Sequence, residues 1–433
     1  MTHSQSSASR AAIGLTLCLI ASPGLARQTP QFDVTRDTVL VEERFDLALD
    51  GLKPRQEVTI RVDGNRGMWH SSERFRSDDR GRVVVADPMK FIWSATGDRP
   101  ATPPAGGPPA GGQPWVFTAE ADGRVIATKT ILRKAVADNV RVVPLRARGL
   151  VGTAYFPAGQ ERRAAVIVLP GSQGGIPGPA SPAGGLASRG YAVLALAYFN
   201  AQSLPPLLQN IPLEYFATAV EWLKSQPAVD PTRIGVLGTS RGGELALLLG
   251  ATFPSSFRVV VANVPSNVVW PGLSTDAEVP AWTLNGKPLA HVPGRFTRED
   301  LKLSGRERFL KRMKDSAALE RAAIPVERIA APVLMFSGKD DQLWPSDIFA
   351  TRVVERLRKH QFTHPVEHYS YEQAGHMIGR PYMPTSDVRE VRVHPISKRP
   401  NMMGGTPEGQ ARANEDFWQK LVAFLDKYLR NQL

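Results

Sequence analysis

The pentapeptide at 238–242 (GTSRG) fits the pattern Gly-x-Ser-x-Gly and places Ser240 at its centre. An apolar run at 234–237 precedes it and predicts a buried strand, and residues 243–250 (GELALLLG) predict a helix. A strand, a tight turn and a helix in this order lift a serine hydroxyl clear of a sheet. The pattern predicts Ser240 as the nucleophile of an acyl-transfer reaction. The alternative is a Gly-Ser turn whose serine only caps the following helix.

His376 is the predicted general base. A serine hydroxyl becomes a strong nucleophile only when a base accepts its proton. Of the eight histidines, His376 alone lies in a Gly-flanked turn after a strand-like run, which spans 366–371. With an acid after the strand at 333–337, the chain order becomes Ser240, Asp, His376. This is the order found in α/β hydrolases.

Two adjacent aspartates, Asp340 and Asp341, compete for the role of the acid. Adjacent side chains project in different directions, so we expect only one of them to reach the imidazole. Asp341 is favoured because it lies three residues after Gly338 and four before Pro345, the usual placing in such loops. Its expected role is to hold the histidine tautomer and to stabilise the imidazolium.

Backbone amides should stabilise the oxyanion. One is expected from Arg241, which follows the nucleophile at the start of the predicted helix. The other is expected from the glycine-rich loop at 170–175 (PGSQGG), with Gly174 and Gly175 as the candidate donors. The same loop could cradle a phosphate, but no Gly-Lys-Ser/Thr follows it, which excludes a Walker site.

Neither a metal nor another cofactor is expected. The only cysteine, Cys18, excludes an intrachain disulfide and any cysteine-based metal site. His360, His364 and His368 repeat every four residues, but Pro365 breaks a helix through them, so we interpret this spacing as chance.

Alternating strands and helices predict an α/β parallel sheet from about residue 146 onward. Continuous apolar runs are typical of strands buried on both faces, and they occur at 165–169, 190–196, 234–237, 259–264 and 333–336. Residues 271–326 interrupt the alternation and predict an inserted lid. Its basic cluster at 303–314 is interpreted as a solvated helix.

Residues 30–145 have a different pattern. Short alternating stretches separated by turn residues predict an antiparallel, immunoglobulin-like β-sandwich. Residues 99–114 are rich in proline and glycine and predict a flexible or covering loop.

The N-terminus predicts a secretory signal at residues 1–26. Arg10 precedes an apolar run at 11–21, and Gly24 and Ala26 are small residues at a cleavage site. We therefore expect export to the periplasm or the medium, or a cytoplasmic protein if this segment is not processed. No apolar run reaches the roughly 20 residues needed to span a bilayer.

These features together resemble the bile acid-CoA:amino acid N-acyltransferase and type I acyl-CoA thioesterase family, over nearly the whole chain after the signal. The stretches that carry the resemblance are 190–200 (GYAVLALAYFN), 212–219 (PLEYFATA), 235–249 (GVLGTSRGGELALLL), 322–329 (AAIPVERI), 338–346 (GKDDQLWPS) and 374–376 (AGH). The resemblance implies an α/β-hydrolase domain behind an N-terminal sandwich. It also implies a fatty-acyl thioester substrate whose acyl group passes to the nucleophile and then to water.

One departure separates this chain from the amino-acid transferases of the family, which use cysteine where this chain has Ser240. A serine ester favours water as acceptor, so we expect an acyl-CoA thioesterase. An exported carboxylesterase and an N-acyltransferase remain alternatives. The net charge of +12 suits the anionic phosphates of CoA and is equally typical of a basic secreted protein. No dense basic-aromatic motif occurs, so nucleic acid is not an expected partner.

Overall fold

The computed structural model describes residues 1–2, 29–97, 112–178, 181–273, 278–294, 299–393 and 400–430. The predicted signal segment 1–26, apart from its first two residues, lies outside the described residues. The same holds for residues 99–111 of the segment rich in proline and glycine.

The N-terminal sandwich consists of two sheets packed face to face. Its elements are β1 (Gln31–Val34), β2 (Thr38–Leu40), β3 (Leu47–Asp50), β4 (Glu57–Gly64), β5 (Trp69–Arg76), β6 (Val83–Val85), α1 (Lys90–Trp93), β7 (Gln113–Ala121) and β8 (Arg124–Lys134). One sheet has the order β1-β3-β6 and the other β2-β8-β7-β4-β5. Val58, Ile60 and Val62 alternate along β4 and are buried against Leu47 and Leu49 of the other sheet.

The remaining chain forms the α/β unit. Its strands are β9 (Val140–Ala147), β10 (Leu150–Pro157), β11 (Arg163–Leu169), β12 (Ala192–Ala197), β13 (Ile211–Pro212), β14 (Val229–Thr239), β15 (Val259–Asn263), β16 (Trp282–Leu284), β17 (Lys287–Pro288), β18 (Val333–Gly338), β19 (Val366–Tyr371), β20 (Val391–Val393) and β21 (Pro400–Met402). Its helices are α2 (Ala183–Ser188), α3 (Glu214–Lys224), α4 (Arg241–Thr252), α5 (Gly305–Arg312), α6 (Ser316–Arg321), α7 (Ser346–Lys359) and α8 (Pro407–Leu425).

Eight strands form the central sheet in the order β9-β10-β12-β11-β14-β15-β18-β19. The strands from β12 to β19 pair in parallel, and β10 pairs antiparallel with both of its neighbours. β11, β12, β15 and β18 are apolar and almost entirely buried, because helices cover both faces of the sheet. This is the α/β-hydrolase fold, and the predicted fold class is confirmed. β9 already belongs to this sheet, so the sandwich ends between Lys134 and Val140 rather than at the expected 145.

Between β15 and β18, in the region where a lid is predicted, the described chain forms a small sheet and two helices. β16 pairs with β13 and β17. Helix α5 begins with a capping box, in which the Ser304 side chain accepts from Glu307 N and the Glu307 carboxylate accepts from Ser304 N. Within the described residues, no helix is long and apolar enough to cross a membrane.

Candidate active site

Ser240 occupies the turn between β14 and α4. Its backbone has φ 60° and ψ −120°, a strained conformation for a residue with a side chain. The turn closes only because glycines flank it. A Cβ at Gly238 would lie 1.8 Å from the Gly242 carbonyl oxygen, and one at Gly242 would lie 2.4 Å from the Pro170 oxygen. The local geometry is that of a nucleophile elbow.

Asp341 and His376 meet in loops at the carboxyl ends of β18 and β19. His376 Nδ1 lies 2.8 Å from Asp341 Oδ2, and both side chains are buried. The Asp341 carboxylate also accepts hydrogen bonds from Ser346 Oγ at 2.7 Å, Leu343 N at 3.0 Å and Trp344 N at 3.2 Å. These donors compensate the buried negative charge and fix the direction of the carboxylate.

Asp340 has a different environment. Its Oδ1 accepts from Gln342 Nε2 at 2.6 Å, and its Oδ2 accepts from Gly405 N at 2.9 Å. Asp340 therefore ties its loop to the turn at Gly405, and the structure brings Asp341, rather than Asp340, to the imidazole.

Asn263, the last residue of β15, connects the elbow to the histidine loop. Ser240 N donates to Asn263 O at 2.9 Å, and Asn263 Nδ2 donates to Ile378 O at 2.6 Å. The histidine backbone is held by a further bond, from His376 N to Met403 O at 2.8 Å. Ser240 and His376 thus lie in adjoining loops at the same edge of the sheet.

The predicted oxyanion donors differ in whether their amides are already bonded to carbonyl groups of the protein. Arg241 N lies in the first turn of α4, where amides have no intrahelical acceptor. Gly174 N instead donates to Gly171 O at 3.1 Å, and Gly175 N donates to Phe199 O at 2.9 Å. The prediction for these two amides is wrong, because the turn of the loop directs both of them to carbonyl groups of the protein.

The part of this loop nearest the nucleophile is its beginning. A Cβ at Gly171 would lie 3.2 Å from the Ser240 Cβ, so the chain passes directly beside the serine at this point. The peptides that follow Gly171 are therefore better placed than those of Gly174 and Gly175.

A buried polar cluster beneath the elbow was missed by the sequence reasoning. Glu244 is fully buried and accepts a hydrogen bond from Trp282 Nε1 at 2.9 Å. Arg241 Nη1 lies 3.1 Å from Glu244 Oε2, and Arg241 Nη2 donates to Trp270 O at 3.0 Å. Burial raises the pKa of Glu244 to about 7, although Arg241 opposes the shift. The available signal was an acidic residue inside the apolar run 243–250.

Residues 211–431 match the model of a family described as BAAT / acyl-CoA thioester hydrolase, C terminal. The chain belongs to this family. It is 29% identical to acyl-coenzyme A thioesterase 6 of Mus musculus, over 90% of this chain and 94% of the relative. It is 28% identical to acyl-coenzyme A thioesterase 1 of Homo sapiens, again over 90% and 94%.

Among solved structures, the α/β hydrolase MGS-M1 from a Medee basin deep-sea metagenome library matches with 16% identity and a TM-score of 0.41. The match covers 68% of this chain and 99% of that chain. The predicted family resemblance is confirmed by the family match, and the protein is an enzyme of the hydrolase class.

Proposed function

We propose that this protein is a serine-dependent acyl-CoA thioesterase that hydrolyses fatty-acyl thioesters through an acyl-Ser240 intermediate. The observation that carries the proposal is the 2.8 Å hydrogen bond between His376 and Asp341, in loops adjoining the strained Ser240 elbow. The relatives described as acyl-coenzyme A thioesterases supply the substrate class.

The first half of the reaction transfers the acyl group to the enzyme. Because an ionised carboxylate only accepts hydrogen bonds, His376 Nδ1 carries a proton toward Asp341 and Nε2 is left free as a base. Nε2 takes the proton of Ser240 Oγ, which attacks the thioester carbonyl carbon. The amide of Arg241 and a peptide amide of the loop after Gly171 stabilise the oxyanion. The C–S bond then breaks, and the imidazolium returns its proton to the leaving thiolate.

The second half releases the acid. His376 Nε2 deprotonates a water molecule, which attacks the ester carbonyl of acyl-Ser240. Collapse of the second tetrahedral intermediate gives the fatty acid, and the proton returns to Ser240 Oγ. Water is the favoured acceptor because an oxygen ester forms at Ser240, whereas the amino-acid transferases of the family use a cysteine.

An exported carboxylesterase is the second candidate. It would use the same three side chains, and the predicted signal at 1–26 favours it because CoA esters are cytosolic. The proposal that the protein is exported rests only on the predicted signal at 1–26.

The test measures thiol release from palmitoyl-CoA and compares kcat/KM with that for a short p-nitrophenyl ester. We expect the thioester to be the better substrate. Ser240→Ala should lower kcat at least 10³-fold while the folded protein retains its circular dichroism spectrum. The exposed Ser255 provides a matched control, Ser255→Ala, with unchanged activity. A folded Ser240→Ala protein with wild-type turnover would overturn the assignment of the nucleophile. Preference for the simple ester would favour the carboxylesterase.

A further inference from the structure

We propose that the N-terminal sandwich positions the catalytic base. In this proposal Glu42 anchors Arg380, and the carbonyls of Trp93 and Ala95 anchor residues further along the chain. Together they hold the histidine segment (residues 376–386) so that His376 faces Ser240. The proposal rests on the function proposed above, which assigns His376 as the base. Glu42 touches Arg380 and not the reacting atoms, so it is a positioning residue.

The histidine segment leaves the α/β unit and attaches to the sandwich at several points. Arg380 Nε donates to Glu42 Oε1 in a buried ion pair, and Arg380 Nη2 donates to Ala135 O at 2.7 Å. Further along, the polar contacts are Arg133 Nη2 to Tyr382 O at 2.7 Å, Thr385 N to Trp93 O at 2.9 Å and Ser386 Oγ to Ala95 O at 2.7 Å. The Tyr382 side chain is buried in the apolar core of the sandwich.

The buried charges in this interface indicate that it fixes the position of the histidine segment rather than adding to the free energy of unfolding. Glu42, Arg133 and Arg380 are all buried. Burial, reinforced by the positive charge of Arg380, lowers the pKa of Arg133 to about 9. A buried ion pair contributes little net stability because desolvation offsets the attraction, but its hydrogen bonds fix direction. The Glu42 carboxylate pairs with Arg380, and its negative charge also favours the cationic form of Arg133, so it opposes the repulsion between the two arginines.

The short chain between Arg380 and His376 couples the position of the imidazole to that of the arginine. The three intervening residues are themselves fixed in part, because Ile378 O accepts from Asn263 Nδ2 at 2.6 Å and Gly379 N donates to Asn414 Oδ1 at 3.0 Å. Two residues beyond Arg380, Tyr382 adopts a φ of 53°, which a residue with a side chain keeps only where its surroundings impose it. Because only three residues separate Arg380 from His376, a displacement of Arg380 should also displace the imidazole.

The decisive variant is Glu42→Gln. Glutamine keeps the shape and one acceptor but removes the negative charge, so Arg133 and Arg380 repel each other in a medium of low polarity. We expect kcat for palmitoyl-CoA to fall about 10- to 100-fold, because a displacement on the order of 1 Å at a catalytic group costs that much. KM should stay within about twofold, since the variant does not alter the nucleophile elbow.

Ile60→Ala is the matched control. Ile60 is fully buried in the same sandwich, and no polar contact joins it to the histidine segment among the described residues. This variant should lower the Tm of the protein and leave kcat near the wild-type value at temperatures where it is folded. A kcat within about twofold of the wild type in Glu42→Gln would overturn the proposal. An equal loss of kcat in Ile60→Ala would also overturn it, because the effect would then be one of general destabilisation.

Hydrogen exchange tests the anchoring without requiring turnover. In Glu42→Gln, amides of residues 376–386 should exchange faster, while those of the elbow at 234–250 should not change. If the wild type hydrolyses neither thioesters nor esters, the proposed function fails and this measurement still decides whether the sandwich holds the segment. Unchanged exchange at 376–386 would overturn the proposal.

A milder variant covers the case in which Glu42→Gln does not fold. Thr385→Val is nearly isosteric and removes the bonds from Thr385 Oγ1 to Trp93 O at 3.0 Å and to Pro407 O at 2.7 Å. It should lower kcat a few-fold and raise exchange in the same peptides. A folded Thr385→Val protein with wild-type kcat and wild-type exchange would contradict the proposal.

Discussion

The elbow around Ser240 and the histidine segment adjoin each other at one edge of the sheet, but they are built from different parts of the chain. The elbow is formed by a strand, two glycines and a helix that are contiguous in sequence. The histidine segment bonds to Glu42, which is 338 residues away from Arg380, and to carbonyls of the N-terminal sandwich. The proposed nucleophile thus lies in a turn formed by local sequence, whereas the proposed base lies in a segment held by long-range contacts.

The two regions also differ in the forces that hold them. Apolar burial and close backbone contact dominate at the elbow, where Leu245 and Leu247 are fully buried, and a single described ion pair, Arg241–Glu244, lies beneath it. Buried charges and directed hydrogen bonds dominate at the histidine segment. The first kind of contact tolerates little added volume. The second responds sharply to the loss of one charge. Substitutions that change only volume or only charge should therefore separate the two regions.

The largest effect is expected at the base. Asp341→Asn removes the charge that orients His376 and stabilises the imidazolium, so kcat should fall by about 10⁴. Asp340→Asn is the matched control and should lower kcat less than tenfold, because Asp340 contacts Gln342 and Gly405 instead. Steady-state kinetics on palmitoyl-CoA checks both variants. A larger loss in Asp340→Asn would reverse the assignment of the acid.

The second largest effect is expected at the elbow, and it concerns the free energy of unfolding. Gly238→Ala introduces a Cβ at 1.8 Å from the Gly242 oxygen, which the turn accommodates only by opening. We expect the free energy of unfolding to fall by about 3–5 kcal/mol, measured by urea denaturation.

Gly178→Ala provides the control for this variant. A Cβ at Gly178 meets no atom within 4 Å among the described residues, so its stability should match the wild type. An equally stable Gly238→Ala protein would show that close backbone contact does not hold the elbow.

The smallest effect is a pH dependence of the free energy of unfolding, which arises from Glu244 beneath the elbow. Burial raises the pKa of Glu244 from 4.5 to about 7 in the folded protein. Between these values the folded state binds the proton and the unfolded state releases it. The contribution of Glu244 to the free energy of unfolding therefore decreases as pH rises from 4.5 to 7, by up to about 3 kcal/mol.

Denaturation curves at several pH values, compared between the wild type and Glu244→Gln, check this dependence. The variant should remove it, whereas Glu161→Gln, at an exposed position, should preserve it. Identical pH profiles in the wild type and Glu244→Gln would show that charge is unimportant at the elbow.

The sequence predicted those parts of the site that short stretches of chain determine. The Gly-x-Ser-x-Gly pattern located the elbow, and the spacing to Gly338 and Pro345 favoured the aspartate that contacts His376. The prediction failed for Gly174 and Gly175, because Gly174 N donates to Gly171 O within the loop and Gly175 N donates to Phe199 O, two residues after β12. Glu42 could not be foreseen either. Its partner is defined only when the two halves of the chain pack together.

Burial of Tyr382 in the core of the sandwich has a consequence for how the protein unfolds. A shortened chain that begins at β9 would expose this ring and leave Arg380 without its carboxylate. The two halves should therefore melt in a single cooperative transition, although each has its own sheets. The family match at 211–431 covers about half of the chain and includes the histidine segment, whose anchors lie in the other half.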